Sequence, residues 1–248
     1  MIAMVTGASS GFGEAISRLL VNAGYRVIGT GRRAERLAAL ADELGEQFLP
    51  LAFDVQDKAA TRAAIAGLPA EWSEVDLLVN NAGLALGLEP AHKADLEDWE
   101  QMIATNISGL TLLTRLLLPG MVARNRGHVI NIGSIAGTYP YPGGNVYGAT
   151  KAFVKQFSLN LRADLAGTAI RVTNLEPGLC GGTEFSNVRF HGDDAKAATV
   201  YQGVQAIQPE DIANTVLWVS QQPAHVNINS IEIMPVAQTF GPLQISRR

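Results

Sequence analysis

Short apolar runs alternate with longer amphipathic stretches along the whole chain. The apolar runs predict strands at Ile2–Val5, Arg26–Thr30, Phe48–Phe53, Leu77–Val79, His128–Ile132, Ala169–Leu175 and Ser230–Ile233. The amphipathic stretches predict helices at Glu14–Ala23, Ala34–Leu44, Lys58–Leu68, Trp99–Arg124 and Ala149–Leu165. Parallel strands need long crossover connections, which helices supply. The alternation therefore predicts an α/β fold in which helices cover both faces of a doubly wound parallel sheet.

One segment departs from this alternation. Residues 180–204 are rich in Gly, Asp and Ala and have weak periodicity, so they predict a lid on a single domain that spans residues 1–248. Gly181 and Gly182 would give this lid a hinge, because glycine adopts backbone conformations that other residues disfavour.

Composition supports a compact globular protein and narrows its partners. Hydrophobic residues make up 47% and charged residues 17% of the chain, which suits a well-buried core. The net charge of −4 gives no basic footprint for nucleic acid. No unbroken apolar run reaches the roughly 18 residues of a membrane span. We therefore expect neither a nucleic-acid partner nor a membrane segment.

Cysteine and histidine usage bears on location and on metals. The lone cysteine, Cys180, cannot form an internal disulfide and fits a reducing compartment. The chain begins with a strand pattern rather than a secretory signal, so we expect a cytoplasmic protein. We expect no metal, because the four histidines are scattered along the chain: His92, His128, His191 and His225.

A glycine-rich turn follows the first predicted strand and leads into a helix. Glycines let backbone amides approach a phosphate, and the helix N-terminus adds unpaired N–H groups and the positive end of a dipole. The spacing Gly-x3-Gly-x-Gly differs from the commoner Gly-x-Gly-x2-Gly, and an ordinary strand-to-helix turn is the alternative for the motif alone. Its position after the first strand favours a dinucleotide site, with contacts from Gly7, Ser9, Ser10, Gly11, Phe12 and Gly13.

Two arginines, Arg32 and Arg33, follow the second predicted strand. Sites that prefer NAD usually place Asp or Glu there to accept a hydrogen bond from the ribose 2′-hydroxyl. A guanidinium can instead pair bidentately with a 2′-phosphate, so the sequence predicts NADP(H) as the coenzyme. The alternative is a solvated loop in which the arginines pair with Glu35 or Glu43.

Two further turns lie at carboxyl ends of predicted strands, where open α/β sheets bind their ligands. Asp54 and Val55 follow the third strand, where they would meet the adenine edge. After the fourth strand, Asn80 is interpreted as a structural turn residue. The residues after it would line the coenzyme crevice: Asn81, Ala82 and Gly83.

The candidate catalytic pair is Tyr147 and Lys151, which lie four residues apart and so on one face of a helix. A nearby ammonium stabilises a phenolate and lowers its pKa toward the working range of a general acid or base. Ser134 follows the strand His128–Ile132, and its hydroxyl could polarise a carbonyl oxygen. Taken singly, the pair could be a surface contact and the serine a helix cap.

Taken together and in order, these motifs resemble the classical branch of the short-chain dehydrogenase/reductase family over essentially the whole chain. The resemblance implies a Rossmann-like sheet of seven parallel strands and usually a homotetramer. It assigns Tyr147 as the general acid/base and Ser134 as the group that orients the carbonyl. Lys151 would bind the nicotinamide ribose and lower the pKa of the tyrosine, and Asn106 would hold a water in the proton relay. Pro177-Gly178 would flank the nicotinamide.

Within that family the chain is most similar to NADP-dependent 3-hydroxy acid dehydrogenases that also oxidise serine and allo-threonine. The segments that carry this similarity are Asn81–Pro90 with Ala91-His92-Lys93, Tyr141–Lys151 and Glu176–Phe190. The similarity implies oxidation of a small 3-hydroxy acid to a 3-oxo acid, or reduction of a semialdehyde such as malonic semialdehyde.

Arg189, within the predicted lid, is the natural bidentate partner for a substrate carboxylate, and the alternative is a surface pair with Asp193 or Asp194.

Rival functions are a broader carbonyl (ketone) reductase, a 3-oxoacyl carrier-protein reductase and a non-catalytic NADP-binding sensor. A sensor would not need the serine, tyrosine and lysine. The predicted helix Trp99–Arg124 is apolar around much of its circumference, which indicates a subunit interface.

Overall fold

The computed structural model describes residues 1–241 and contains one parallel sheet of seven strands. The strands are β1 (Ile2–Thr6), β2 (Arg26–Gly31), β3 (Phe48–Ala52), β4 (Val75–Asn80), β5 (Gly127–Ile132), β6 (Ile170–Pro177) and β7 (Ser230–Ile233). Their order across the sheet is β3-β2-β1-β4-β5-β6-β7. The order reverses between β1 and β4, so a crevice opens at the carboxyl ends of these two strands. The predicted doubly wound parallel sheet is confirmed.

Helices cover both faces of the sheet. They are α1 (Gly11–Asn22), α2 (Ala34–Leu44), α3 (Lys58–Ala66), α4 (Leu96–Ile103), α5 (Leu110–Ala123), α6 (Asn145–Asp164), α7 (Phe185–Arg189), α8 (Asp194–Thr199) and α9 (Pro209–Ser220). Apolar side chains of α1, α2 and α9 form one buried cluster with the sheet, including Ile16, Leu37 and Val216. Side chains of α5 and α6 form a second cluster, including Leu113 and Leu161.

The start of α6 and the presence of α9 are differences from the sequence prediction. Helix α6 begins at Asn145 rather than Ala149, which places Tyr147 within its first turn. Helix α9 was not predicted, although its start carries recognisable signals. Pro209 is its first residue, and the side chain of Asp211 accepts a hydrogen bond from the backbone of Gln208 at 2.8 Å.

Helices α4 and α5 form one 28-residue helix, Leu96–Ala123, through a π-helical turn at Ala104–Gly109. By length and apolar composition alone, this helix could cross a membrane. However, Leu113, Leu117 and Met121 are buried against the sheet, which is the placement of a core helix. π-turns often mark functional sites, and this one carries Asn106.

The segment that the sequence singles out as a lid, residues 180–204, contains the short helices α7 and α8. Its two ends are tied together by a parallel bridge between Cys180 and Ile207. Gly181 N donates to Ile207 O at 2.8 Å, and Ile207 N donates to Leu179 O at 3.1 Å. The start of the segment is therefore held against the residues that follow its end.

Candidate active site

A crevice of about 750 Å³ runs along the carboxyl ends of the strands. It is lined by the predicted coenzyme residues Gly7, Ser9, Ser10, Gly11, Phe12, Arg32, Arg33, Asp54, Val55, Asn81, Ala82, Gly83, Tyr147, Lys151, Pro177 and Gly178. Ser134 and Arg189 line the same crevice. Gly13 and Asn106 do not line it and lie behind its wall.

The glycine-rich turn forms a backbone cradle at one end of the crevice. Gly7 and Gly11 have positive φ values of 70° and 54°, which only glycine adopts without strain. A Cβ at Gly13 would collide with the carbonyl oxygen of Gly7, so Gly13 permits close packing within the turn, and its coenzyme contact stays a prediction. Together the turn and the first turn of α1 present the geometry that binds phosphate.

Asn81 braces this cradle. Its Nδ2 donates to the backbone oxygen of Thr6 at 2.8 Å, and its own backbone N–H donates to Thr6 Oγ1 at 2.9 Å. The side chain of Asn81 therefore ties the turn after β4 to the turn after β1. Asn80 has the structural role that we predicted, since its Nδ2 donates to Thr114 and Asn131 inside the core.

The two arginines after β2 have different surroundings. Arg32 is 66% exposed at its side chain, and its Nη1 lies 3.9 Å from Asp54 Oδ2. Arg33 is held on both sides, because Nη2 donates to Ser10 Oγ at 2.7 Å and Nη1 to Glu184 Oε2 at 2.8 Å. The predicted alternative partners, Glu35 and Glu43, are not used, and Glu43 pairs instead with Arg18. Positive charge therefore lines this end of the crevice.

Asp54 and Val55 lie beside the cradle, where the sequence places the adenine edge. Asp54 Oδ1 accepts from Gln56 N at 2.9 Å, which fixes the turn after β3. Gln56 Nε2 in turn donates to Thr105 Oγ1 at 2.8 Å in the π-turn. A Cβ at Gly109 would lie 2.9 Å from Val55 O, so the glycine lets this turn pack against the π-turn.

Tyr147 and Ser134 meet in the middle of the crevice. Tyr147 is buried, and its side chain and that of Ser134 line the same stretch of the crevice. Burial raises the pKa of Tyr147 to about 12, while Ser134 and Arg189 act to lower it. Ser134 Oγ also accepts from Ala136 N at 3.1 Å, so the serine is a helix cap as well as a neighbour of the tyrosine.

Lys151 lies one helical turn after Tyr147 and is buried. Its Nζ donates to Ile132 O at 2.8 Å and lies 5.8 Å from the ring centre of Tyr147. Burial lowers the pKa of Lys151 to about 8. Ser134 and Arg189 lower the pKa of Tyr147 here, and the effect of Lys151 on the tyrosine stays a prediction.

The side chain of Asn106 is occupied by protein contacts. Its Nδ2 donates to Leu84 O at 2.9 Å and to Thr150 Oγ1 at 3.0 Å, and its Oδ1 accepts from Leu84 N at 2.9 Å. Thr150 lies beside Lys151 on α6, so Asn106 connects the π-turn to the catalytic helix. The role of Asn106 in holding a relay water stays a prediction.

Arg189 lies in the crevice rather than on the surface. Its Nη2 donates to the hydroxyl of Tyr141 at 2.6 Å, and its Nε donates to Gly87 O at 3.2 Å. The alternative pairing with Asp193 or Asp194 is wrong, because these residues accept from Lys196 N and from Asn187 Nδ2. Among residues 1–241, no carboxylate lies within ion-pair distance of Arg189.

Sequence reasoning did not assign roles to several residues that line the crevice. Tyr141 holds Arg189, and Gln238 Oε1 accepts from Leu179 N at 2.7 Å. Phe240 packs against Tyr139 with 4.7 Å between ring centres. Neither Gln238 nor Phe240 belongs to a motif, so no local signal marks them.

Within residues 1–241, no group of three or more His, Cys, Asp or Glu side chains could hold a metal ion.

The residues present fit NADP(H). The glycine cradle suits the pyrophosphate, the arginines after β2 suit a 2′-phosphate, and Lys151 has hydrogen-bond donors left beyond its bond to Ile132. The parallel sheet reverses its strand order where the crevice opens, and the crevice holds a tyrosine, a serine and a lysine. Together these features define the fold and the site of a dinucleotide-dependent oxidoreductase.

Comparison with known proteins identifies the family. Residues 1–193 match the model of the short chain dehydrogenase family, and the chain belongs to that family. It is 70% identical over 245 residues to the probable NADP-dependent dehydrogenase of Haemophilus influenzae, covering 99% of this chain and 97% of that protein. It is 64% identical to the NADP-dependent 3-hydroxy acid dehydrogenase YdfG of Salmonella typhi, with both chains fully covered. A solved closed form of serine dehydrogenase complexed with NADP+ is 62% identical, with full coverage of both chains and a TM-score of 0.99.

Proposed function

We propose that this protein uses NADP(H) to interconvert small 3-hydroxy acids, including serine and allo-threonine, with 3-oxo acids or semialdehydes. The observation that carries the proposal is the position of Arg189, a cation without a carboxylate partner in residues 1–241, beside Tyr147 and Ser134. The names of the relatives, an NADP-dependent 3-hydroxy acid dehydrogenase and a serine dehydrogenase, support the same substrate class.

The coenzyme would lie along the crevice. When bound, NADP(H) would supply the hydride acceptor for the carbinol carbon in oxidation and the hydride donor for the carbonyl carbon in reduction. Backbone amides of the glycine-rich turn would hold the pyrophosphate, and Arg32 and Arg33 the 2′-phosphate. Lys151 would donate to the nicotinamide ribose, and Pro177-Gly178 would flank the nicotinamide.

The proton would move through Tyr147. With its pKa raised to about 12 by burial, the phenol holds its proton at neutral pH and can donate it to an oxygen that gains negative charge in carbonyl reduction. In the oxidation direction the phenol must first lose its proton, and Arg189 and Ser134 favour that loss. Ser134 would hold the reacting oxygen, and Asn106 would hold the relay water.

Arg189 would hold the substrate carboxylate. In a 3-hydroxy acid, one carbon separates the carbinol carbon from the carboxylate, so the two groups must be held close together. The guanidinium carbon of Arg189 lies 5.5 Å from the ring centre of Tyr147, which suits a substrate this short. A ketone reductase or a carrier-protein reductase acts on a substrate without this carboxylate and would leave the half-buried Arg189 without an anionic partner.

We also propose that residues 180–204 act as a lid, since they carry Arg189 over the crevice and begin and end at one bridge.

For assembly we propose a homotetramer. Helix α6 exposes Phe153 and Leu159, and α5 exposes Val122 beside it, while α9 exposes Trp218 on the opposite side of the sheet. Two separate apolar patches suit a dihedral tetramer. A monomeric mass in light scattering would contradict this. The lone cysteine supports a cytoplasmic location.

The test is a panel of substrates at alkaline pH, in which the oxidation of each substrate is measured as the reduction of NADP+. L-serine, L-allo-threonine, 3-hydroxypropionate and 3-hydroxyisobutyrate are compared with simple secondary alcohols that lack a carboxylate. We expect a much higher kcat/KM for the acids. Equal kcat/KM for acids and plain alcohols would replace the proposal with a broader carbonyl reductase.

A further inference from the structure

The carboxylate of Glu184 connects the proposed lid to the arginines beside the coenzyme cradle. Its Oε2 accepts from Arg33 Nη1 at 2.8 Å, and its Oε1 accepts from Arg36 Nη1 at 3.0 Å. Arg36 lies in the first turn of α2, whereas Glu184 immediately precedes α7 in residues 180–204. One side chain therefore bridges two parts of the chain that pack on different sides of the crevice.

Helix α7 links this bridge to the substrate side. The helix spans only Phe185–Arg189, with Glu184 directly before its first residue and Arg189 as its last. Five residues of helix extend about 7.5 Å, a short and stiff connection. A contact that fixes Glu184 on the coenzyme wall therefore also limits where Arg189 can lie.

Charge explains why the bridge can persist beside an anionic ligand. Three arginines gather here, Arg32, Arg33 and Arg36, against the carboxylates of Glu184 and Asp54. The cluster therefore keeps a net positive charge while Glu184 is paired. A 2′-phosphate can be attracted to Arg32 without displacing Glu184 from Arg36.

We propose that Glu184 is a positioning residue for substrate specificity: its pairing with Arg33 and Arg36 holds α7 so that Arg189 faces the substrate carboxylate. This inference rests on the proposed function, because it takes Arg189 as the carboxylate-binding group. Helix α7 thus connects the arginines beside the proposed 2′-phosphate site to Arg189, which is proposed to bind the acid substrate.

The test uses Glu184→Gln, which keeps the size of the side chain and removes its charge. Half-exposed pairs are individually weak, so we expect KM for 3-hydroxypropionate to rise about fivefold. The kcat/KM for a plain secondary alcohol should fall by no more than about twofold, because that substrate has no carboxylate for Arg189 to bind and responds only to the effect of Arg189 on the pKa of Tyr147. The Kd of NADP+, measured by calorimetry, should not increase, because the variant removes a negative charge from an arginine cluster.

A second readout does not depend on activity. In the coenzyme-free protein, backbone amides of residues 185–204 should exchange with deuterium about fivefold faster in Glu184→Gln than in the parent. Arg36→Met should speed the same amides. The double variant should be no faster than Glu184→Gln, because Arg36 contacts this segment through Glu184.

Glu35→Gln is the matched control. Glu35 is an exposed acid next to Arg36 with no ion pair in the described part of the chain, and its replacement makes the same charge change. Unchanged exchange and unchanged KM in Glu184→Gln would overturn the inference, as would an equal loss for acids and plain alcohols. If the parent itself does not prefer acids, the proposed function fails, while the exchange comparison still decides whether Glu184 anchors α7.

Discussion

The guanidinium carbon of Arg189 lies 5.5 Å from the ring centre of Tyr147. The two residues come from different elements, since Tyr147 is in the first turn of α6 and Arg189 ends α7. A cation at this position lowers the pKa of the phenol against the effect of burial and is also placed to bind an anionic group of the substrate. The substrate specificity and the acid–base chemistry of the site are therefore linked through one side chain.

Replacing Arg189 with Met should weaken binding of carboxylate substrates specifically. Hydrogen bonds to charged groups contribute roughly 1.5–3 kcal/mol, so we expect KM for 3-hydroxypropionate to rise by about tenfold or more. Steady-state kinetics with the acid and with a plain secondary alcohol measure the difference. Arg189→Lys is the matched control and should recover part of the loss, since it keeps the charge without the planar fork. An equal loss for both substrates would argue against a carboxylate site.

The same Arg189→Met variant should change the pH dependence of oxidation. Oxidation needs the phenolate of Tyr147, and Arg189 is one of the groups that lower the pKa of this phenol. Its removal should move the ascending limb of the pH profile of kcat for NADP+ reduction to higher pH. The pH profile for a plain alcohol reports this shift without the loss of carboxylate binding. An unmoved limb would mean that another group sets the ionisation.

Tyr147→Phe should separate coenzyme binding from turnover. Phenylalanine keeps the ring, which packs edge-on against Phe185 with 5.8 Å between centres, and removes only the hydroxyl. General acid–base catalysis contributes about 10²–10⁴-fold, so kcat should fall by at least about a hundredfold. NADPH fluorescence titration should give a Kd close to that of the parent. Near-parental turnover would contradict the assignment of the tyrosine as the proton donor.

Arg32→Gln should reduce the preference for NADP over NAD. Arg32 is the more exposed arginine after β2, whereas Arg33 is held by Ser10 and Glu184. Loss of a charge-assisted contact to phosphate should raise the Kd of NADP+ about tenfold and leave the Kd of NAD+ within about twofold. Arg18→Gln, a similar change on the outer surface of α1, is the control. Equal effects on both coenzymes would show that Arg32 does not read the 2′-phosphate.

The sequence predicts the sheet well because buried parallel strands are nearly continuous apolar runs, as in Leu77–Val79. It also predicts the residues at the carboxyl ends of the strands, since topology alone brings these ends together. It does not predict that Arg33 pairs with Glu184 or that Arg189 pairs with Tyr141. Such contacts depend on how distant segments pack, which local patterns do not contain.

Helix length and backbone detail account for the remaining differences. Helices α7 and α8 have five and six residues, too few for a periodic pattern, so the sequence indicates an irregular lid there. Asn106 belongs to a recognisable motif, but its hydrogen bonds to Leu84 and Thr150 depend on the π-turn. Gly13 fits a coenzyme-binding motif, and only the fold shows that its missing side chain also lets it pack against Gly7.

Stability should fall in acid because of His128, which is 4% exposed in β5 and whose pKa is lowered to about 3, mainly by burial. The unfolded chain binds a proton near pH 6.5 and the folded protein does not. The contribution is therefore complete above pH 6.5 and is lost as pH falls toward 3. At pH 5 the loss is about 2 kcal/mol. Urea unfolding at pH 7.5 and 5.0 measures it. His128→Asn should flatten this dependence, whereas His225→Asn, at an exposed position, should not. Equal pH dependence in the parent and His128→Asn would disprove the assignment.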